Sequence, residues 1–483
     1  MNTISFKTEA PIRYSADVVV VGGGVAGVGA AVAAGREGKS VLLIEHTGCL
    51  GGMATNGHVS PFDATKDRQG NPFGGVAQDI IDGMAKAQLA YGVDSPMRRE
   101  GPHLFKWVLL NLCLEANVEI LFNASLVDVV READEIKYAL VNTKSGVEAV
   151  SGKMFIDATG DGDVFYRAGE EFIIGSEADA NKELDKVGMN RMHFEEGEQG
   201  DVEEQPTESA ATGAATVQPC SIMFTMGNVD NSKNPLQYNN RLLKFEDLGI
   251  DKEEFKKLPY YGTVGFEDNG DLIPLPQGRI LLSHTGRPKE MLVNMSRIIG
   301  VDSTDAKELT EANIKAQLQV MYLVDFLKRY VPGFENSYLV ESGDVLGVRE
   351  SRRLIGRYVL KGSEAALCEI PEDTVACGSY MIDIHDPHGK RKAIGGNIQG
   401  ACYGIPYRCL TPKTINNLLV CGRCISVDHV AHASTRIQGT CVITGQAAGT
   451  AAALALDNNV SVQNLDVNKL ISVLKNNGMY LGK

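Results

Sequence analysis

The sequence predicts an α/β protein: a parallel sheet wound with helices, a small antiparallel meander beside it, and an inserted α+β segment. Three stretches predict it. Val18 to Val21, apolar and β-branched, run straight into Gly22-x-Gly24-x-x-Gly27 and an alanine-rich helix. Met154 to Asp157 close in Ala158-Thr159-Gly160-Asp161, and Leu418 to Val420 close in Cys421-Gly422-Arg423. Continuous apolar runs suit strands covered on both faces.

The first stretch carries the most chemistry. Gly22 and Gly23 permit a tight turn, Gly24 leaves room for a pyrophosphate at the backbone, and Gly27 lets the helix pack closely on the sheet. The free N–H groups of that helix, from about Ala26, would face the phosphates. Val41 to Ile44 form the next strand and Glu45 ends it, 18 residues after Gly27. An acid there accepts hydrogen bonds from adenosine ribose hydroxyls and disfavours a 2′-phosphate. This is a Rossmann-like dinucleotide site; the alternative is the same core left empty.

The bulk numbers exclude several classes. The 483 residues supply two or three domains' worth of core. Net charge is −14 with no Lys/Arg-rich run, which argues against nucleic acid and anionic membrane surfaces as partners. No apolar run approaches a membrane span of ~20 residues. The N-terminal stretch lacks the pattern of a secretory signal, and ten scattered cysteines read as reduced thiols, so a cytoplasmic location is expected. Cys421 and Cys424 form the one C-x-x-C, read as residues flanking a turn, with a redox dithiol as the alternative.

After Glu45 and His46 comes a second glycine pair, Gly51-Gly52-Met53-Ala54. A nicotinamide needs no such pair; a flavin dinucleotide does, because its ribityl chain runs on past the ribose. Cys49 stands alone there, so disulfide reduction is not supported. His58 is either a loop residue or a neighbour of the flavin ring. Helices are expected over Gly74 to Tyr91 and Pro102 to Glu115, then strands at Glu119 to Asn123, Ser125 to Val130, Lys137 to Thr143 and Lys153 to Asp157. These strands read as a meander laid against the sheet, with Leu126 and Val127 beside the adenine.

Composition shifts near Val164. Residues 1–165 and 396–483 are expected to form the cofactor domain, and residues 166–395 a substrate domain. Ser176 to Pro219 is acidic and reads as exposed or mobile. Cys220 to Asn228, Arg279 to His284 and Glu290 to Met295 read as strands, and Leu236 to Leu258 as mostly helical. Thr310 should cap a helix to Tyr330, its core stripe Ile314, Leu318, Met321, Val324 and Leu327. On a strand, Arg349 and Arg353 would share a face opposite Arg352. They either hold an anion or pair internally with Asp344, Glu350 or Glu341. His385 and His388 sit beside acids in a substrate-facing loop rather than a metal site. Tyr407 and Arg408 offer a phenol and a guanidinium together. His429, His432 and Arg436 precede Gly445 and Gln446, which open or continue a helix of small residues. That helix would stabilise negative charge on a reduced flavin, or pack as plain core.

Together VVVVGGGVAGVGAAVAAGREG, IEHTGCLGGMAT, FIDATGDGDV, GVRESRRLIGRYVL, YGIPYRCLTPKTINNLLVCGRCIS and HASTRIQGTCVITGQAAGTAA resemble one family over nearly the whole chain. It is the FAD-dependent oxidoreductase family near the heterodisulfide reductase flavin subunit, within the fumarate reductase and glutathione reductase assemblage. The resemblance implies FAD held by a domain split in sequence, with its ring at the interface to the insert. The iron–sulfur motifs of the heterodisulfide reductase subunit are absent, and Arg423 follows Gly422 where many flavoproteins carry an acid. His432-Ala-Ser-Thr-Arg436 is similar in spacing to the His-Gly-Ala-Asn-Arg of fumarate reductases, where the arginine holds a substrate carboxylate.

The chemistry expected is hydride transfer between flavin N5 and a carbon of a small-molecule substrate. Arg349, Arg353 or Arg436 would hold an anionic group, and a proton would move through His385, Tyr407, Arg408, His429 or His432. An enoate-type C=C reductase and an electron-transfer subunit serving a protein partner are the rivals. An electron donor or acceptor of unidentified kind is implied, and a homodimer is carried as an option.

Overall fold

The computed structural model describes residue 4 and residues 9–59, 61–90, 102–177, 180–189, 216–263, 271–387 and 394–483. Strand β1 (Ile12–Val21) enters the glycine turn, α1 (Val25–Arg36) leaves it, and β2 (Val41–Glu45) returns beside β1. Helices α2 (Gly75–Ala90) and α3 (Pro102–Glu115) follow, then β3 (Glu119–Phe122), β4 (Ser125–Glu132), β5 (Glu135–Thr143) and β6 (Gly146–Asp157). They form one sheet in the order β3-β2-β1-β6-β5-β4, joined on β6 by Leu418–Val420. The meander is therefore not laid against the parallel sheet; it is part of it. One flank of β6 pairs in parallel with β1. The other takes β5 antiparallel along residues 146–151 and Leu418–Val420 in parallel along residues 155–157. A strand that starts at Gly146 rather than Lys153 is long enough to serve both.

Next come α4 (Asp163–Arg167), β7 (Phe172–Ile174), α5 (Ala180–Lys186), β8 (Phe224–Gly227), α6 (Lys252–Phe255), β9 (Leu282–His284), β10 (Met291–Val293), α7 (Ala306–Tyr330) and β11 (Tyr338–Ser342). Strands β11-β8-β10-β9 make an antiparallel sheet. With α7 it encloses a second core running from Cys220 to Leu346, around the Phe255 ring and its neighbours Phe245, Tyr261, Tyr322 and Phe326. Much of the acidic stretch lies outside the described residues, at 178–179 and 190–215. Of the remainder, residues 180–186 are helical, and residues 216–219 are buried rather than exposed.

Two expectations fail inside this core. Leu236 to Leu258 is not a helix but 3-10 turns at Pro235–Tyr238 and Phe245–Leu248 followed by the single turn of α6. Asn240 and Gly249 take left-handed φ of 61° and 62°, and each ends helical winding. Helix α7 starts at an Asp305 cap, whose carboxylate accepts from Lys307 N and Glu308 N, while Thr310 Oγ1 donates back to Ala306 O. Its buried face is Ala312, Ala316, Gln319, Val320, Tyr322, Leu323, Phe326 and Leu327; Ile314 is 57% exposed and Met321 44%. An apolar count misses that face because alanines give close approach, and because Gln319 is satisfied by both backbone groups of Arg297.

The chain then returns through β12 (Arg352–Leu354), α8 (Gly362–Ala366), β13 (Thr374–Gly378), β14 (Ile382–Ile384), β15 (Ile394–Gly396), β16 (Tyr403–Pro406), β17 (Leu418–Val420), α9 (His429–Thr435), α10 (Gln438–Asn458) and α11 (Val467–Asn476). Buried residues from Leu354 onward share the core of β1 and α1. Helix α10 lies directly on α1. A side-chain carbon at Gly445 would fall 2.0 Å from Ala26 O, at Gly449 2.1 Å from Ala30 O, and at Gly29 2.5 Å from Val442 O. Only glycine allows that approach. Contrary to the reading of apolar runs, the 21-residue α10 is long and apolar enough to cross a membrane, an 18-residue window of it reaching a mean hydropathy of 1.3, yet 94% of that window is buried inside the protein.

Candidate functional site

Four turns converge at the C-terminal edge of the parallel strands. Gly22, at φ 104°, lies so close to Ala158 that a side-chain carbon would fall 2.4 Å from its carbonyl oxygen. Gly24 caps α1, and a carbon built there meets nothing within 4 Å. Gly51 N donates to Gly23 O at 2.8 Å, Gly24 and Gly51 bridge, and Gly52 stands over Gly24 at the head of the 3-10 turn containing Met53 and Ala54. The two glycine loops thus form one rim. Gly160 lies under the Arg423 guanidinium, which pairs with Asp161 at 2.6 Å and donates to Val348 O at 2.9 Å. Gly422 packs on Ala26. Thr159 is held by the buried Asp157 carboxylate, which also accepts from Val164 N and Phe165 N.

Glu45 stands buried beside this rim. Its Oε2 accepts from Gly23 N at 2.7 Å and its Oε1 from Thr47 N and Oγ1, each at 2.7 Å, with His46 Nδ1 at 3.1 Å. Burial works to raise its pKa, but the hydrogen bonds from His46 and Thr47 prevail and hold it below the usual range. Oε2 keeps a lone pair free for a further donor. Asn123 N and Ala124 N donate to the carbonyls of Thr47 and Glu45, which draws the head of β4 to this acid; Val127, farther along β4, is 39% exposed. Gly445 and Gln446 do not open a helix at the groove. Helix α10 begins at Gln438, so both are interior: Gly445 meets α1, and Gln446 Oε1 accepts from Val76 N at the start of α2.

A second cluster lies where the two cores meet. Arg436 Nη2 lies 3.2 Å from Asp383 O and 3.5 Å from its Oδ2; His385 Nε2 is 3.3 Å from the same carboxylate. Arg349 donates to Pro219 O, and Arg297 to Asp386 O at 2.8 Å. Among the described residues, the buried Nε atoms of Arg297 and Arg436 and Nε2 of Gln218 have no hydrogen-bond partner. Burial, with Arg436 nearby, brings Arg349 down to about 10. Burial likewise pushes His385 down to about 4, against the opposing pull of Asp383. His385 is therefore neutral near pH 7. Its folded pKa lies below the unfolded value of ~6.5, so stability should be lost as pH falls from ~6.5 through ~4, by up to about 3 kcal/mol. His385→Gln should flatten that limb in urea melts run across this window; an unchanged slope would remove His385 as its source.

The remaining candidates separate. Strand β12 covers only Arg352–Leu354, so Arg349 precedes it and shares no strand face with Arg353. Arg353 is fully buried and pairs with Glu350 and, at 2.7 Å, with Glu177, while donating to Gly175 O and Val427 O. His429 Nδ1 joins Glu350 at 2.9 Å. The internal-pairing alternative thus describes Arg353, through Glu350, whereas Glu341 instead faces His58 and His103. Arg352 pairs with Asp163 and lies over the Tyr166 ring. Tyr407 is buried with its hydroxyl on Val462 O, and Arg408 forks onto Asp373, so both are structural rather than a substrate pair. His432 is fully buried, and neither ring nitrogen has a partner among the described residues. Cys421 and Cys424 are buried with thiols pushed far up by desolvation, which makes them turn residues and not a reactive dithiol. His388 lies outside the described residues. Among the described residues no three His, Cys, Asp or Glu side chains gather as metal ligands. Arg297 and Gln218 escaped sequence reading because neither lies in a motif; only tertiary contact brings them to Arg349 and His385.

These converging glycine turns on a parallel sheet define a dinucleotide-binding α/β protein. The chain belongs to the FAD dependent oxidoreductase family, whose model matches residues 17–474. It is an FAD-dependent enzyme. No curated protein matches it in sequence. Similar solved structures include a geranylgeranyl bacteriochlorophyll reductase-like protein from Thermoplasma acidophilum, at 13% identity and TM-score 0.40 over 96% of this chain and 83% of that one. Another is p-nitrophenol 4-monooxygenase PnpA from Pseudomonas putida DLL-E4, at 10% identity and TM-score 0.44 over 97% and 90%. The flavin-dependent brominase Bmp2 aligns at 13% identity and TM-score 0.42 over 96% and 83%.

Proposed function

We propose that this enzyme moves a hydride between FAD and a small anionic substrate held where the two cores meet. The open cradle at Gly24 fits the pyrophosphate, with the α1 N–H groups facing it and the free Oε2 lone pair of Glu45 taking a ribose hydroxyl. The Gly51–Ala54 turn, Ala158–Asp161, Gly422 and Arg423 would line the rest of the cofactor, with Val127 beside its adenine end. Bound FAD supplies a two-electron donor or acceptor at N5. The observation that carries the substrate reading is cationic excess. Arg349 and Arg436 face the Asp383 carboxylate and Arg297 lies between Arg349 and Asp386, three guanidiniums against two carboxylates, and Arg297 and Arg436 keep buried Nε groups unpaired among the described residues. Charge-assisted hydrogen bonds from such edges orient a carboxylate or carbonyl. Neutral His385, oriented by Asp383, would take or return the accompanying proton.

The test is anaerobic: photoreduce or oxidise the flavin, then screen carboxylates, alcohols and enoates by the flavin absorbance band. The substrate found should carry an anionic group. Arg436→Met should weaken its binding by roughly 30-fold or more, since truncating one side of a buried charge contact costs ~2–5 kcal/mol. Equal turnover of a neutral analogue, or an unchanged KM in Arg436→Met, would defeat the reading.

A further inference from the structure

Strand β13 and the residue just before β16 carry a cysteine pair that the flavin chemistry does not use. Cys377 is the cross-strand partner of Gly404, and Gly378 of Tyr403. Cys402, two residues before Gly404, therefore lies on the same side of the ladder as Cys377. A side-chain carbon at Gly482 would sit 3.3 Å from Cys402 Sγ and 3.5 Å from Cys377 Sγ, so both sulfurs flank one small spot. The two thiols influence each other's ionisation, Cys377 drawing the Cys402 pKa down while Cys402 and burial push that of Cys377 up. Nearby Cys368 is engaged differently, accepting from Gly400 N at 3.0 Å. Cys377 is fully buried and Cys402 is 5% exposed.

We propose that Cys377 and Cys402 are a dithiol that hydrogen peroxide converts into an intrachain disulfide. Cys402 is the attacking sulfur, because it is the one that reaches the surface and the neighbouring Cys377 thiol favours its thiolate, whereas the Cys377 thiol is fully buried and held up. Cys402 Sγ attacks one peroxide oxygen: the S–O bond forms, the O–O bond breaks, and one water leaves behind a sulfenic acid. Cys377 Sγ then attacks that sulfur: the S–S bond forms, the S–O bond breaks, and the hydroxide departs with the Cys377 proton as a second water. The thiols lose two electrons and the peroxide gains them. The crosslink would brace β13 against the chain entering β16, beside the 65–73 loop, to which Ser379 and Ala401 are hydrogen-bonded through Lys66 O and Arg68 N.

The experiment treats the holoprotein with hydrogen peroxide, alkylates remaining thiols, digests, and maps linked peptides by mass spectrometry. The expected result is a Cys377–Cys402 link, an intact mass lower by two hydrogens, and reversal by dithiothreitol. Cys377→Ser should stop at a sulfenic acid on Cys402 that dimedone traps. The proposal is overturned if both thiols still alkylate, if Cys402 links to Cys368 instead, or if Cys402 runs on to sulfinic acid with Cys377 present. The wild-type map decides by itself should the variant not fold.

Discussion

Gly24→Val should give a folded but colourless protein. The backbone there is extended, at φ −63° and ψ 175°, which a β-branched residue accepts, and a side-chain carbon on its Cα meets nothing within 4 Å. Folding is thus spared. The space the new methyls occupy is the one the pyrophosphate needs. Losing two charge-assisted hydrogen bonds, at ~1.5–3 kcal/mol each, weakens FAD by more than about 100-fold. Titration of apoprotein with FAD, followed by fluorescence quenching alongside a circular-dichroism melt, separates the two properties. A yellow variant with wild-type affinity would mean the cofactor lies elsewhere. Gly27 makes the contrasting case: a carbon there would fall 1.8 Å from Gly22 O, so Gly27→Val should not fold at all.

Arg353→Met should cost about 3–5 kcal/mol of unfolding free energy, the usual penalty for orphaning one side of a buried ion pair. Arg353 meets two carboxylates and two carbonyls at full burial, and its loss leaves Glu350 with the His429 ring and Gln218 N as its partners among the described residues. Urea denaturation reads the change. Adding Glu350→Gln should recover part of it, because the stranded charge is then gone. A single-variant loss below about 1 kcal/mol would show that the network relaxes rather than supports the junction.

What could be read in the sequence was whatever local pattern decides. The strand–glycine–helix unit, the distance to Glu45 and the second glycine pair all concern neighbours in the chain, and the structure sets them around one rim. The exact span of Pro102–Glu115 followed from amphipathic spacing in the same way. Distant contacts were not legible. The fates of Arg349 and Arg353 depend on Pro219 and Glu177, far off in sequence, and no periodicity could divide those arginines between two clusters. Gln446 looked like a cofactor ligand because small residues surround it, yet those residues exist to let two helices touch. The buried side of α7 was misjudged because a satisfied glutamine counts as polar in any pattern.

The glycine contact between α1 and α10 has a consequence for biosynthesis. Roughly 400 residues part the two helices. At ~5–20 residues/s, the nucleotide turn leaves the ribosome about 20–80 s before the helix that buttresses it is made. During that delay the small-residue face of α1 has no companion, and the groove has only part of its wall. Coloured protein should therefore arise only once α10 has been made. Ribosome-stalled chains that stop short of Gln438 should fail to capture FAD, and chains that include Asn458 should succeed.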